Sequence, residues 1–148
     1  MTRGRCIALG LLLSVSVATA AWARNTMLDL AVADAKKSPR AVNLLDVPFY
    51  MAGEKHPKVK QDLGEFSSNQ RTSGAFRSDD AACQIAFLSA IIQLQKRANA
   101  QGGNAVIDVR SITRSENLSS ATQFRCAAGT MVANVALTGH IVKLATTK

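Results

Sequence analysis

His56, His140, Cys83, Cys126, Asp79, Asp80 and Asp108 are the side chains of this sequence best suited to chemistry, and their spacing limits what they can do. A zinc site needs three or four converging ligands. His56 stands alone before Pro57, His140 stands alone after Gly139, and no Cys/His cluster accompanies either, so no metal site is assigned. Nucleophilic catalysis needs a Ser or Cys beside an oriented base, and the Gly-x-Ser-x-Gly elbow is absent. Asp79 and Asp80 are adjacent, and on a helix adjacent side chains diverge by about 100°. That suits a helix start better than the facing carboxylates of a glycosidase. Asp108 lies between Ile107 and Val109 and is expected on the opposite face of a strand, paired with Arg110 or solvated. No catalytic residue and no cofactor is expected.

Arg71 and Arg77 are the candidate binding residues. They bracket a polar stretch that leads into a helix start, where backbone amides and guanidinium groups could together hold an anion. Asp79 and Asp80 occupy the same positive field and compete with that use.

The compartment follows from residues 1–23. Arg3 and Arg5 form a positive start, residues 7–17 are apolar, and Ala21-Trp22-Ala23 offers small residues at the positions a signal peptidase reads. The stretch is short for a membrane span and a polar segment follows it. Cleavage before Arg24, with residence in the periplasm, is the expectation. It removes Cys6, which is no lipid-attachment site because Gly4-Arg5 precede it. Cys83 and Cys126 then remain in an oxidising compartment, and an even pair there reads as one disulfide. Their spacing is far too wide for Cys-x-x-Cys redox chemistry.

Cleavage also removes two of the 18 basic residues and none of the 10 acidic ones, leaving a net charge of +6. Moderate basicity suits solubility and anionic partners such as lipid headgroups, lipopolysaccharide, acidic glycans or nucleic acid. Nucleic acid is not expected, because stacking aromatics are scarce: one Tyr, and a Trp that lies in the leader.

These residues must be positioned by a single small domain. Residues 1–23 read as a signal peptide, 24–46 as an N-terminal covering segment with short helical turns near 31–37 and 40–45, and 47–148 as one α+β domain. Strands are expected at 47–52 and, as an exposed or edge strand with weak alternation, 59–66. Residues 67–77 read as a polar loop. Ser78 is a helix N-cap, Asp79 and Asp80 fill the first turn, Lys96 and Arg97 lie near the end, and Gly102 stops the helix. Cys83, Ala86, Phe87, Ala90, Ile91, Leu94 and Ala98 share one face, while Ile85, Leu88 and Ile92 lie roughly opposite. Two apolar faces need two covers: the sheet on one side, and residues 26–46 or a second subunit on the other. Strands follow at 104–112, 122–126 and 131–144. The class is α+β in the order β-β-α-β-β-β, a mostly antiparallel sheet with one main helix on one face. The Cys83–Cys126 bond would pin the helix start to the sheet.

The run Phe49-Tyr50-Met51-Ala52-Gly53, the segment 58–69, Ser78-Asp79-Asp80-Ala81-Ala82-Cys83, the Gly-Asn-Ala-Val at 103–106 and Phe124-Arg125-Cys126-Ala127-Ala128-Gly129 form one pattern. It resembles a family of short exported proteobacterial proteins of unknown activity, often labelled "excinuclease ATPase subunit". More distantly it is similar to YbjQ-like small domains and to the envelope-stress sensor lipoprotein of the Rcs phosphorelay. The ATPase label finds no support in the residues: a P-loop requires Gly-x-x-x-x-Gly-Lys-[Ser/Thr], and no Gly-Lys dipeptide occurs. The resulting expectation is a non-enzymatic periplasmic binding or accessory protein held by one disulfide, in contact with an envelope component or protein partner. The alternative is an oligomeric small-ligand or metal-binding domain of the YbjQ-like kind, in which a homo-oligomer covers the second helix face.

Overall fold

The computed structural model describes residues 24–145. The leader and its cleavage site, read at residues 1–23, lie outside the described residues. The fold is α+β: a six-stranded, mostly antiparallel sheet with one long helix against it.

The chain opens with β1 (Asn25–Ala31), a short helix α1 (Val32–Lys37) and a 3-10 turn (Pro39–Asn43). Pro39 at the start of that turn stops α1 from continuing, since proline lacks the N–H an inner turn would use. β2 (Phe49–Met51) and β3 (Val59–Ser73) precede α2 (Asp79–Ala100). β4 (Ala105–Ser111), β5 (Gln123–Gly129) and β6 (Val132–Leu144) complete the sheet.

β6 organises the whole. One of its edges runs antiparallel to β3, from Val59 opposite Leu144 to Ser73 opposite Val132. The other edge takes β4 along residues 137–142 and β5 at 133–134. β1 extends the sheet beyond β5, and β2 adds in parallel beyond β4. β3 and β4 therefore run parallel with β6 between them, and α2 bridges them.

Two expectations change here. Residues 25–31 form a strand, which adds one strand to the anticipated order. Its backbone is paired with β5 from Asn25 opposite Gly129 to Ala31 opposite Gln123, and Arg125 grips Asp29 with two 2.7 Å bonds. Residues 67–73, expected as loop, continue β3. Their polar side chains have low strand preference, but pairing with β6 overrides it, because tertiary context dominates strand propensity.

α2 begins as its sequence dictates: the Ser78 side chain accepts from the Ala81 N–H at 3.2 Å, and Asp79 and Asp80 lie in the first turn. Gly102, at φ +70°, supplies the left-handed residue just past its end. Its main face buries Cys83, Ala86, Phe87, Ile91 and Leu94 on the sheet, with Phe87 stacked on Phe124 at 4.2 Å. Cys83 and Cys126 form a disulfide between the first turns of α2 and the middle of β5. The second face is covered from within the chain. Leu88 is fully buried in one cluster with Val32 and Ala35. Gln95, also buried, latches the segment after the 3-10 turn: its side chain accepts from the Leu45 N–H at 2.9 Å and donates to the carbonyls of Leu45 and Val47. The cover ends short of Ile85, which stays half-buried beside a groove.

Candidate functional site

Two concentrations of charged and polar groups lie on opposite faces of the sheet. The first is a groove between α2 and β3. Along residues 65–73, even-numbered side chains of β3 turn toward α2 and odd-numbered ones turn outward, as the alternation of burial shows. Phe66, Ser68, Gln70 and Thr72 thus form one wall. The exposed flank of α2 forms the other, and the 3-10 turn with Arg40 and Asn43 closes one end.

The larger part of the groove has a volume of about 1030 Å³. A second part of about 450 Å³ adjoins it through the shared residues Gln70, Gln93 and Lys96. Arg40, Arg71, Arg77 and Lys96 line the first part and Lys96 and Arg97 the second, while neither part is lined by any Asp or Glu among the described residues. Ile85, Ile92 and Phe66 give it an apolar floor. The Arg97 guanidinium sits 5.1 Å from the Phe66 ring centroid, which anchors one cation in place.

Arg71 and Arg77, expected from sequence to bind an anion, both border this groove. Arg71 shares the outward parity of Asn69 and also borders a second concavity beside Arg114 and Asn134. Arg77 donates to the Ser73 carbonyl at 3.2 Å and so closes the loop that leads into α2. In that loop Phe76 is fully exposed with φ +62°, a left-handed conformation uncommon for a bulky residue. Asp79 is drawn away from the groove by Arg24, 2.7 Å distant. Its charge is therefore paired outside the groove. Arg40 was not singled out from sequence, and Lys96 and Arg97 were read only as the basic end of the helix, because folding alone brings residue 40 and residues 96–97 to one rim.

The second concentration lies on the outer face. His140 Nδ1 is 2.9 Å from Asp62 Oδ2, and its Nε2 is 3.5 Å from Glu65. Glu65 accepts from Thr138 Oγ1 at 2.7 Å and from Arg110 at 3.0 Å, and Arg110 lies 3.5 Å from Asp108. The Thr138 hydroxyl, helped by Arg110 and His140, holds the Glu65 carboxyl below its ordinary range. The Gly64 N–H, with His140, does the same for Asp62. Asp108 takes the strand-face pairing with Arg110 expected of it, at a bulge of β4 where its φ is +51°. The ring of His140 meets a carboxylate on each side and no hydroxyl. Ser67 Oγ is directed instead at Thr138 Oγ1, 3.3 Å away. Arg110 thus pairs with Glu65 and Asp108, and His140 bridges Asp62 and Glu65.

His56 stacks near Tyr50 in its turn, with ring centroids 5.7 Å apart. Among the described residues no group of three or more His, Cys, Asp or Glu is arranged to hold a metal ion, and no helix is long and apolar enough to cross a membrane. Cys83 and Cys126 are occupied by their mutual bond and fully buried. Comparison with protein-family models, with characterised proteins and with solved structures finds no match for this chain.

Proposed function

We propose that this chain is an exported, non-catalytic binding or accessory protein that works by contact with an anionic envelope component or protein partner, with the α2–β3 groove as its contact surface. One observation carries the reading: Arg40, Arg77, Lys96 and Arg97 line one groove, with Arg71 at its border, and no carboxylate lines it among the described residues. Converging charge of one sign beside an apolar floor raises the local concentration of the opposite charge and favours its capture. The charged cluster on the outer face and the cysteines are paired within the domain. The outer-face carboxylates answer Arg110 and His140, and the cysteines answer each other. The leader read from residues 1–23 and the buried disulfide support residence outside the reducing cytoplasm.

Co-sedimentation with washed envelope membranes tests this. The native chain should be retained at low salt and released as salt is raised, because contacts between exposed charges are screened beyond roughly 8–10 Å at physiological ionic strength. The Arg40→Glu, Lys96→Glu variant should lose retention while keeping its thermal midpoint. Equal retention of that variant would remove the groove from the function.

A further inference from the structure

β3 is an edge strand with a lightly guarded stretch. It pairs with β6 alone, and no other described strand joins its second edge. Its lower half is defended by a bulge between Asp62 and Glu65, with Gly64 at φ +113°. From Glu65 to Ser73 the register with β6 is unbroken, and this stretch contains no Pro, no bulge and no Lys. Pro, bulges and charged side chains are the devices by which sheets blunt an exposed edge, and here only Glu65 and Arg71, of opposite sign, serve that purpose. In an antiparallel strand alternate residues aim both backbone groups at the partner, so the residues between them aim both outward.

This open edge borders the cation-lined groove. A groove between an edge strand and a neighbouring helix is the geometry in which an extended peptide adds as a further strand, with main-chain hydrogen bonds giving affinity and side pockets giving selectivity. A second observation points to a ligand at the same place. Ser68 faces the groove, is only 7% exposed, and its hydroxyl has no hydrogen-bond partner among the described residues. Buried hydroxyls are normally satisfied, and a polar side chain on the α2-facing side of a strand laid beside Ser68 would pair with it.

Resting on the binding role argued above, we propose that the groove captures an extended acidic segment of a partner protein by strand addition to β3 along residues 66–72. The strand sets the length: seven residues at about 3.3 Å each. The rim sets the charge: Lys96, Arg97 and Arg40 suit carboxylates on the segment, and a second copy would bring the same cationic rim against this one, the β3 strand itself being neutral overall. The apolar floor at Phe66 and Ile92 suits alternate aliphatic side chains.

The test uses a fluorescent peptide of alternating Glu and Val with the whole chain, followed by anisotropy. Two further peptides carry backbone N-methyl groups, one on the odd and one on the even positions. Strand addition predicts that one N-methylated peptide binds like the parent and the other at least tenfold more weakly, with the parent slowing amide exchange within residues 66–72. Equal binding of both N-methylated peptides would overturn strand addition. So would binding to phosphatidylglycerol vesicles with no binding of the parent peptide, a result that leaves the anionic-contact reading standing. Failure of peptide and vesicles together with salt-independent envelope retention would remove both.

Discussion

Reducing the Cys83–Cys126 bond should cost this domain about 4 kcal/mol. The cross-link closes 43 residues, and in the chain-entropy model a loop of that length removes about 4 kcal/mol of freedom from the unfolded chain. The closed loop contains all but the first turn of α2, all of β4 and the first half of β5, so its ends belong to different layers. Both cysteines are fully buried within the main apolar cluster, so native packing keeps them adjacent when the bond is cut. Oxidised and reduced protein unfolded in urea should differ by that amount in extrapolated stability, and the thermal midpoint should fall by about 15 °C. The reduced chain should still fold, since domains of this size commonly have 5–15 kcal/mol in hand. The Cys83→Ala, Cys126→Ala variant should lie lower again by about 1–2 kcal/mol, because it also removes two buried sulfurs. A difference below about 1 kcal/mol between oxidised and reduced forms would refute the assignment of this bond as the domain's main restraint.

Gln95→Leu keeps the volume but strands the Leu45 N–H and the carbonyls of Leu45 and Val47. It should cost roughly 2–4 kcal/mol in urea unfolding, with exchange rising first at residues 44–47. Asp29→Asn should loosen β1. The Arg125 hydrogen bonds hold the Asp29 carboxyl below its ordinary value, so the native pair contributes stability above about pH 4 and loses it as pH falls through the lowered value. Stability measured from pH 7 to about pH 2 should show the variant weaker by about 1 kcal/mol at neutral pH and converging on the native chain in acid. A gap that widens in acid would reverse that sign.

The helix was legible because its signals are local. Ser78, Asp79, Asp80 and Gly102 mark both ends of α2 within a residue or two, and the face carrying Cys83 is the face that meets the sheet. β4, β5 and β6 followed from their Val, Ile and Phe content. β1 was not legible: Asn25-Thr26-Met27-Leu28-Asp29-Leu30-Ala31 alternates poorly, and its strand character comes from a partner about a hundred positions away. The second half of β3 was hidden for the same reason, since Ser67-Ser68-Asn69-Gln70 has loop composition and strand pairing. At the site, Arg71 and Arg77 stood out through their place before the helix. Arg40 and Lys96 did not, because a groove rim is a property of packing and leaves no spacing in the chain.

The position of β6 in the chain bears on how the molecule is made. Residues 132–144 hold three other strands in register, yet they leave the ribosome after all of those strands. β1 likewise waits for residues 123–129. Until then only β2 and β4 can pair beside the helix, and contacts of such long sequence separation form slowly. The sheet of this domain therefore closes only when its last strand is in place.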